Sequence, residues 1–511
     1  MSVLEKIFEG LEKTYRETAI VSGDESLTYG ELWEQSERLG NWIREISRDN
    51  RPVIVYGNKS PLMLALFLAC AKSGRAYCPV DTSMSEGRLK DIILQVGNPI
   101  LLAAEDLPYR EEISEAFEKE HGVKLRVIGR NELEKTARDY RKDDLREYWL
   151  KEDETFYIIF TSGSTGKPKG VEITSGALAA FTDWSKELGT HGSLAEPAPK
   201  QGKTYLNQAP FSFDLSVMDV YTTLTGGGRL YCLTKEMQKD MAVLLEKLHE
   251  GDINFWVSTP SFADMCLADK SFDQKLMPQL EAFLFCGEKL TKEVAAKLME
   301  RFPKAKIINT YGPTESTVAL TDIEITKEML DDEKSLPIGR VKPGSEIKIA
   351  HNGELIIGGN TLSKGYFEDE EKTKDVFFEE DGKRYYKTGD KGYYEGDVLY
   401  YEGRIDFQIK LHGYRIELGD IENNLLEVEG INNACVLPKK NGEKIRYLVG
   451  FVIADRVFEK KEDERAFVKE IKAGLKAKLP DYMVPKKIEF VSSFPLTGNG
   501  KMDRKAMEGW I

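Results

Sequence analysis

Residues 161–170 read Thr-Ser-Gly-Ser-Thr-Gly-Lys-Pro-Lys-Gly. Four hydroxyls and two lysines stand among glycines that let the backbone turn its N–H groups toward one point. A polyphosphate suits such a loop, because its oxygens take many donors and its charge takes cations. The loop is not a Walker A sequence: counted from Gly163, Pro168 stands where GxxxxGK(S/T) needs its second glycine. Nor is it the GxGxxG dinucleotide turn. A Ser/Gly-rich linker is the plain alternative, but linkers rarely follow a buried strand or carry paired lysines. Residues 156–160 have the length and β-branched content of such a strand.

Other residues stand out by type and place. Asp214 lies among Phe211, Phe213, Leu215 and Val217, where a carboxylate is costly unless it has a partner. Asp219, five residues on, reads as ordinary helix surface. Cys286 precedes Gly287-Glu288 at a strand end; it is either a pocket wall or a plain buried thiol. Lys501 falls in an exposed Gly-rich turn, where a lysine taken alone is solvated surface.

The elements that must position these residues are legible in the apolar periodicity. Residues 27–43 carry apolar positions at helical spacing, and 60–81 read as a buried helix, a stop at Gly74 and a strand. Thr174 or Ser175 caps a helix running to about Leu188. Strand-then-helix units recur at 253–265, with Pro260 in the first helical turn, and at 280–303, with a cap near Thr291. Residues 306–319 form a strand running into a turn, and 189–203 an exposed loop. Helices interleaved with apolar strands imply parallel sheets covered on both faces. The candidate residues then fall where strands end, which is where open α/β sheets bind ligands. From about 345, short strands alternate with Gly/Asp turns, implying an antiparallel region. The remainder fits a small α+β lobe with strands at 447–453 and 487–491 and helices at 418–428 and 464–479.

The fold class is therefore α/β: a large N-terminal domain, 1–404, of layered parallel-rich sheets with helices and an antiparallel β region, then a small mobile α+β domain, 405–511. The chain of 511 residues carries a net charge of −14, which argues against nucleic acid as the main partner. No apolar run approaches a membrane span, and the N-terminus lacks the basic start and apolar core of a secretion signal. Six scattered cysteines with no CxxC motif support neither a disulfide framework nor a zinc site. The expected location is the cytoplasm.

TSGSTGKPKG, NTYGPTE (309–315), GELIIGGNTLSKGY (353–366), KTGD (387–390), GRIDFQIKLHGYRIELGDIE (403–422), LPDYMVP (479–485) and NGKMDR (499–504) stand in one order along most of the chain. In that order they resemble the adenylate-forming superfamily of acyl-CoA synthetases, luciferases and peptide-synthetase adenylation domains. The resemblance implies attack of a carboxylate on the α-phosphate of ATP, then acyl transfer to a thiol. It implies ATP-binding roles for Thr161, Ser162, Gly163, Ser164, Thr165, Gly166 and Lys169 around the phosphates. Asn309, Thr310 and Tyr311 would frame the adenine, with Gly312, Pro313 and Thr314 also in the ATP site. Asp390 would bind the ribose hydroxyls, with Tyr401, Glu402, Gly403 and Arg404 beside it. Glu315 would be the Mg²⁺ ligand, Lys501 the catalytic lysine that bridges substrate carboxylate and α-phosphate, and Asp406 the hinge between lobes.

Asp214 matches the residue with which amino-acid-activating members grip the substrate ammonium; fatty-acyl and aryl members have no ammonium to grip. PFSFDLSVMD, FLFCGE, NTYGPTEST and GRIDFQIKLHGYR resemble, more closely still, the branch that loads D-alanine onto a carrier protein at the start of teichoic acid D-alanylation. In that branch Cys286 crowds the side-chain pocket, and Val318 matches another substrate-contacting position. Lys387 and His412 stand where many relatives have arginine, and loop 189–203 is longer than expected. Ten residues follow Lys501, so the acceptor is expected to be a separate phosphopantetheinylated carrier protein. A basic patch of Lys486, Lys487, Arg504 and Lys505 would dock it. The alternative is a stand-alone adenylation enzyme for another small amino acid, L-alanine or glycine, in peptide synthesis.

Overall fold

The computed structural model describes residues 1–47, 49–163, 167–189, 202–411, 413–442, 444–458, 460–495 and 502–511. The chain separates into two units: residues 1–82, 96–159 and 170–405 form the larger, and 83–95, 160–169 and 406–511 the smaller.

Nine strands of the larger unit make one sheet, in the order Arg340–Val341, Thr321–Glu324, Lys306–Tyr311, Ala282–Phe285, Phe255–Ser258, Thr204–Asn207, Arg229–Cys232, Thr18–Ser22, Glu25–Thr28. The six interior strands, from Lys306–Tyr311 to Thr18–Ser22, run parallel, and antiparallel strands close both edges. A seven-stranded sheet is parallel through Arg126–Ile128, Ile100–Ala103, Val53–Gly57, Tyr77–Asp81 and Thr155–Thr161. Its other edge is the antiparallel pair Lys169–Thr174 and Gly365–Tyr366.

Parallel sheets need cover on both faces, and helix Pro61–Lys72 supplies it with twelve buried residues. Its start follows from chemistry: Ser60 accepts from the Met63 N–H, and Pro61, which has no N–H to lose, takes the first position. Gly74 ends it at φ +77°, in the left-handed region. The other expected helices appear as Tyr29–Ile46, Ser175–Ser185 capped by Thr174, Pro260–Cys266, and Lys292–Arg301 capped by Thr291. From Ser345 to Arg404 a five-stranded antiparallel sheet follows, as the turn spacing implies. Among the described residues no helix is long and apolar enough to cross a membrane.

In the smaller unit, strands Ile431–Asn441, Lys444–Ala454 and Lys487–Phe490 form a sheet, and helices Leu418–Leu426 and Lys461–Lys478 share its apolar core. Strand Ile431–Asn441 escapes the sequence pattern. Its middle is buried on both faces, Ala434 and Val436 in one apolar cluster and Cys435 and Leu437 in another, so no alternation of apolar and polar residues reveals it.

Candidate active site

Of four adjacent parallel strands, Thr204–Asn207, Phe255–Ser258, Ala282–Phe285 and Lys306–Tyr311, the first, third and fourth deliver Asp214, Cys286 and residues 309–311 at or beyond their carboxyl ends. Cys286 follows the third directly, and Asn309, Thr310 and Tyr311 close the fourth. Asp214 opens helix Leu215–Gly226 beyond the first strand.

Asp214 is buried, and the partner its surroundings demand is Thr314, whose hydroxyl donates to Oδ2 at 2.7 Å. Cys286 is buried as well, its thiol directed at the Val318 carbonyl oxygen at 3.6 Å. Thr317 and Val318 both occupy the left-handed region, at φ +59° and +69°. For β-branched residues that conformation is strained, and the surroundings must hold it. Thr317 donates its hydroxyl to the Thr361 carbonyl at 2.8 Å. Gly312 allows the turn to fold back: a Cβ there would lie 2.5 Å from Ala319 Cα and 2.8 Å from the Val318 oxygen.

Asp390 and Arg404 face each other across adjacent strands, and Arg404 Nη1 donates to Asp390 Oδ1 at 2.9 Å. The Tyr311 hydroxyl donates to Oδ2 at 2.7 Å. Burial first, and then Asp390, push the Tyr311 phenol well above its ordinary range, so it stays a donor. Tyr401 lies beside it, ring centroids 6.2 Å apart. Glu402 is exposed and Gly403 pairs with Lys391. Asn309 and Thr310 point their side chains into structural bonds, to the Pro337 carbonyl at 2.7 Å and the Phe285 carbonyl at 2.8 Å. Pro313 caps the short turn Thr314–Ser316.

Glu315, in that turn, has no exposed surface, and its Oε1 accepts from the Tyr366 hydroxyl at 2.7 Å. Among the described residues no group of three or more His, Cys, Asp or Glu side chains could hold a metal ion alone. One buried, oriented carboxylate fits Mg²⁺, which keeps several waters and takes phosphate oxygens as further ligands.

Of the Gly/Ser/Thr loop, Thr161, Ser162, Gly163 and Lys169 are described; Ser164, Thr165 and Gly166 lie outside the described residues, as do Lys501, His412 and most of loop 189–203. Within the smaller unit the Ser162 hydroxyl donates to the Arg415 carbonyl at 2.7 Å, and Lys169 Nζ lies 4.0 Å from Glu417 Oε1. Asp406 accepts from the Gln408 N–H at 3.1 Å, a turn-making bond, and the division between the units falls just before it. Arg504 does not serve a docking patch. Both terminal nitrogens of its guanidinium bind Glu422, at 2.6 and 2.5 Å, and the side chain is largely buried.

Asp219 corrects the sequence reading. It is fully buried, not helix surface, and its Oδ1 accepts from Asn207 Nδ2 at 2.9 Å. The same amide donates to the Ala209 carbonyl at 3.1 Å, tying the loop toward Asp214 to the helix after it. Lys59, buried nearby, donates to the carbonyls of Gln208 and Leu233. Burial holds the Lys59 amine down at about 8 and raises the Asp219 carboxyl well above its usual range. Nothing local signals what Lys59, Asn207 or Tyr366 does, although Tyr366 ends the motif at 353–366, since each acts on a residue far away in the chain or across a turn.

The chain belongs to the AMP-binding enzyme family: the family model matches residues 7–367, and the model of the AMP-binding enzyme C-terminal domain matches 420–501. It is 43% identical, over 99% of both chains, to the D-alanine–D-alanyl carrier protein ligase of Bacillus cereus strain Q1. The fold matches that of o-succinylbenzoate CoA synthetase from Bacillus subtilis, with TM-score 0.82, 19% identity and coverage of 99% and 98% of the two chains. It also matches the Vibrio cholerae adenylation domain AlmE in complex with glycyl-adenosine-5'-phosphate, with TM-score 0.82, 21% identity and coverage of 99% and 97%.

Proposed function

We propose that the protein activates D-alanine with ATP and passes the D-alanyl group to the phosphopantetheine thiol of a separate carrier protein, the first step of teichoic acid D-alanylation. It is an ATP-dependent, AMP-forming ligase. One observation carries the substrate class: buried Asp214 at the strand ends, beside a turn closed down by Cys286 and Val318. A buried carboxylate there suits a ligand that brings an ammonium, and the close walls suit a small side chain. The 43% identity to a ligase named for D-alanine supports that amino acid in particular.

In the first step the D-alanine carboxylate attacks the α-phosphorus, the bond to the β-phosphate oxygen breaks, and pyrophosphate leaves. Two anions meet, so the site needs positive charge more than a base. Lys501 bridges carboxylate and α-phosphate, and the Gly/Ser/Thr loop with Lys169 holds the distal phosphates. Asp390, oriented by Tyr311 and Arg404, takes the ribose hydroxyls. Glu315 would hold Mg²⁺, which would screen the phosphate charge. In the second step the thiol sulfur attacks the acyl carbon and AMP leaves, the smaller lobe turning about Asp406 between the steps. The proposed reaction is a cytoplasmic one.

Amino-acid-dependent ATP–pyrophosphate exchange across D-alanine, L-alanine, glycine, D-serine and acetate tests the reading. Exchange strongest with D-alanine is expected. Preference for L-alanine or glycine would move the protein to peptide synthesis and leave Cys286 without its role.

A further inference from the structure

Residues 363–366 grip Glu315 at two points. The Ser363 N–H donates to the Glu315 carbonyl at 2.8 Å, and the Tyr366 hydroxyl donates to the carboxylate at 2.7 Å. Both side chains are buried, at 5% and 0% exposure. Tyr366 is itself held on every side. Its backbone pairs with Val171, its N–H donates to Thr373 Oγ1 at 2.9 Å, and its ring meets Phe377 nearly edge-on at 6.3 Å. Gly365, at φ +139°, packs so closely that a Cβ would lie 2.6 Å from Thr373 Cγ2. On either side, the Lys364 and Phe367 N–H groups donate to the Glu172 and Gly170 carbonyls at 2.8 Å, on the strand that follows the Gly/Ser/Thr loop in the chain.

The hydroxyl is therefore delivered to Glu315 by a segment with little freedom, and O–H···O⁻ bonds of this kind are among the stronger ones in proteins. We infer that Tyr366 is a positioning residue for the metal carboxylate: its hydroxyl fixes the orientation of the Glu315 side chain that would hold Mg²⁺. The inference rests on the reading of Glu315 as the metal ligand. Groups that orient metal ligands from behind are typically worth about 10- to 100-fold in metal affinity.

The test is calorimetric titration of the full-length protein with ATP, in Mg²⁺ and in EDTA, for the wild type, Tyr366→Phe and Glu315→Gln. The Mg²⁺ dependence of pyrophosphate exchange is measured alongside. The phenylalanine keeps the ring contact with Phe377 and loses only the donor. The expected result is that Mg²⁺ tightens ATP binding in the wild type and that Tyr366→Phe loses about 10-fold of that gain. Its binding in EDTA stays unchanged, and saturating Mg²⁺ restores its exchange rate. If Tyr366→Phe keeps the full gain while Glu315→Gln loses it, the positioning role is wrong and the metal-ligand reading stands. If both variants keep it, the metal-ligand reading fails and takes the positioning role with it.

Discussion

A carboxylate out of water needs partners, and Asp214 takes a hydroxyl from Thr314 at a place where the proposed substrate would bring an ammonium. Replacing it with asparagine keeps the shape and removes the charge. Hydrogen bonds to charged groups contribute about 1.5–3 kcal/mol. Asp214→Asn is therefore expected to lower kcat/KM for D-alanine roughly 10- to 100-fold in the exchange assay, while ATP affinity without the amino acid holds. Buried lysines make a different prediction. Lys342 is 2% exposed and donates to Asn360 Oδ1 at 2.8 Å, and burial lowers its amine from 10.5 to about 8. Between those values the unfolded chain binds the proton and the folded chain does not, so this group makes stability rise with pH from about 8 toward 10.5. Urea midpoints across that range should climb less steeply for Lys342→Met than for the wild type.

Among the elements, the turn from Gly312 to Ala319 depends most on one small residue. Its return path brings Val318 and Ala319 against Gly312 backbone-to-backbone, and a methyl has no flexible neighbour to push aside. Overpacking of this kind costs about 1–3 kcal/mol. Gly312→Ala is expected to lower the melting temperature and, by displacing Thr317 and Val318, to weaken amino-acid-dependent exchange more than a distant substitution of equal stability cost. Paired melting curves and exchange rates decide between a local and a global effect. The helices were legible because their signals are local: Ser60-Pro61, Thr174 and Thr291 act within one turn of themselves. Strand Ile431–Asn441 was not, because its middle is buried on both faces and so shows no alternation of its own.

For the whole molecule, the proposed chemistry separates into two half-reactions with different demands. On that proposal Lys501 belongs to the first and Asp406 to the change between them. Lys501→Ala is expected to abolish adenylate formation while transfer from preformed D-alanyl-adenylate stays largely intact. Asp406→Pro is expected to impair transfer to the carrier more than adenylation. Both half-reactions measured on both variants give the check; equal loss of the two in Lys501→Ala, or the reverse order in Asp406→Pro, would remove the assignment concerned.

The sequence by itself determined the family, the order of the motifs and the α/β class, because loop composition, caps and apolar periodicity are written in neighbouring residues. It also singled out Asp214 as a carboxylate needing a partner. Only the tertiary structure decided what that partner is, and that Asp219 is interior, held by Asn207. The same holds for Arg504, spent on Glu422, and for Tyr366, which reaches Glu315 from 51 residues away. These pairings arise where segments that are not neighbours in the chain pack against one another, and burial then makes each polar atom take a partner. No local pattern encodes which partner that is.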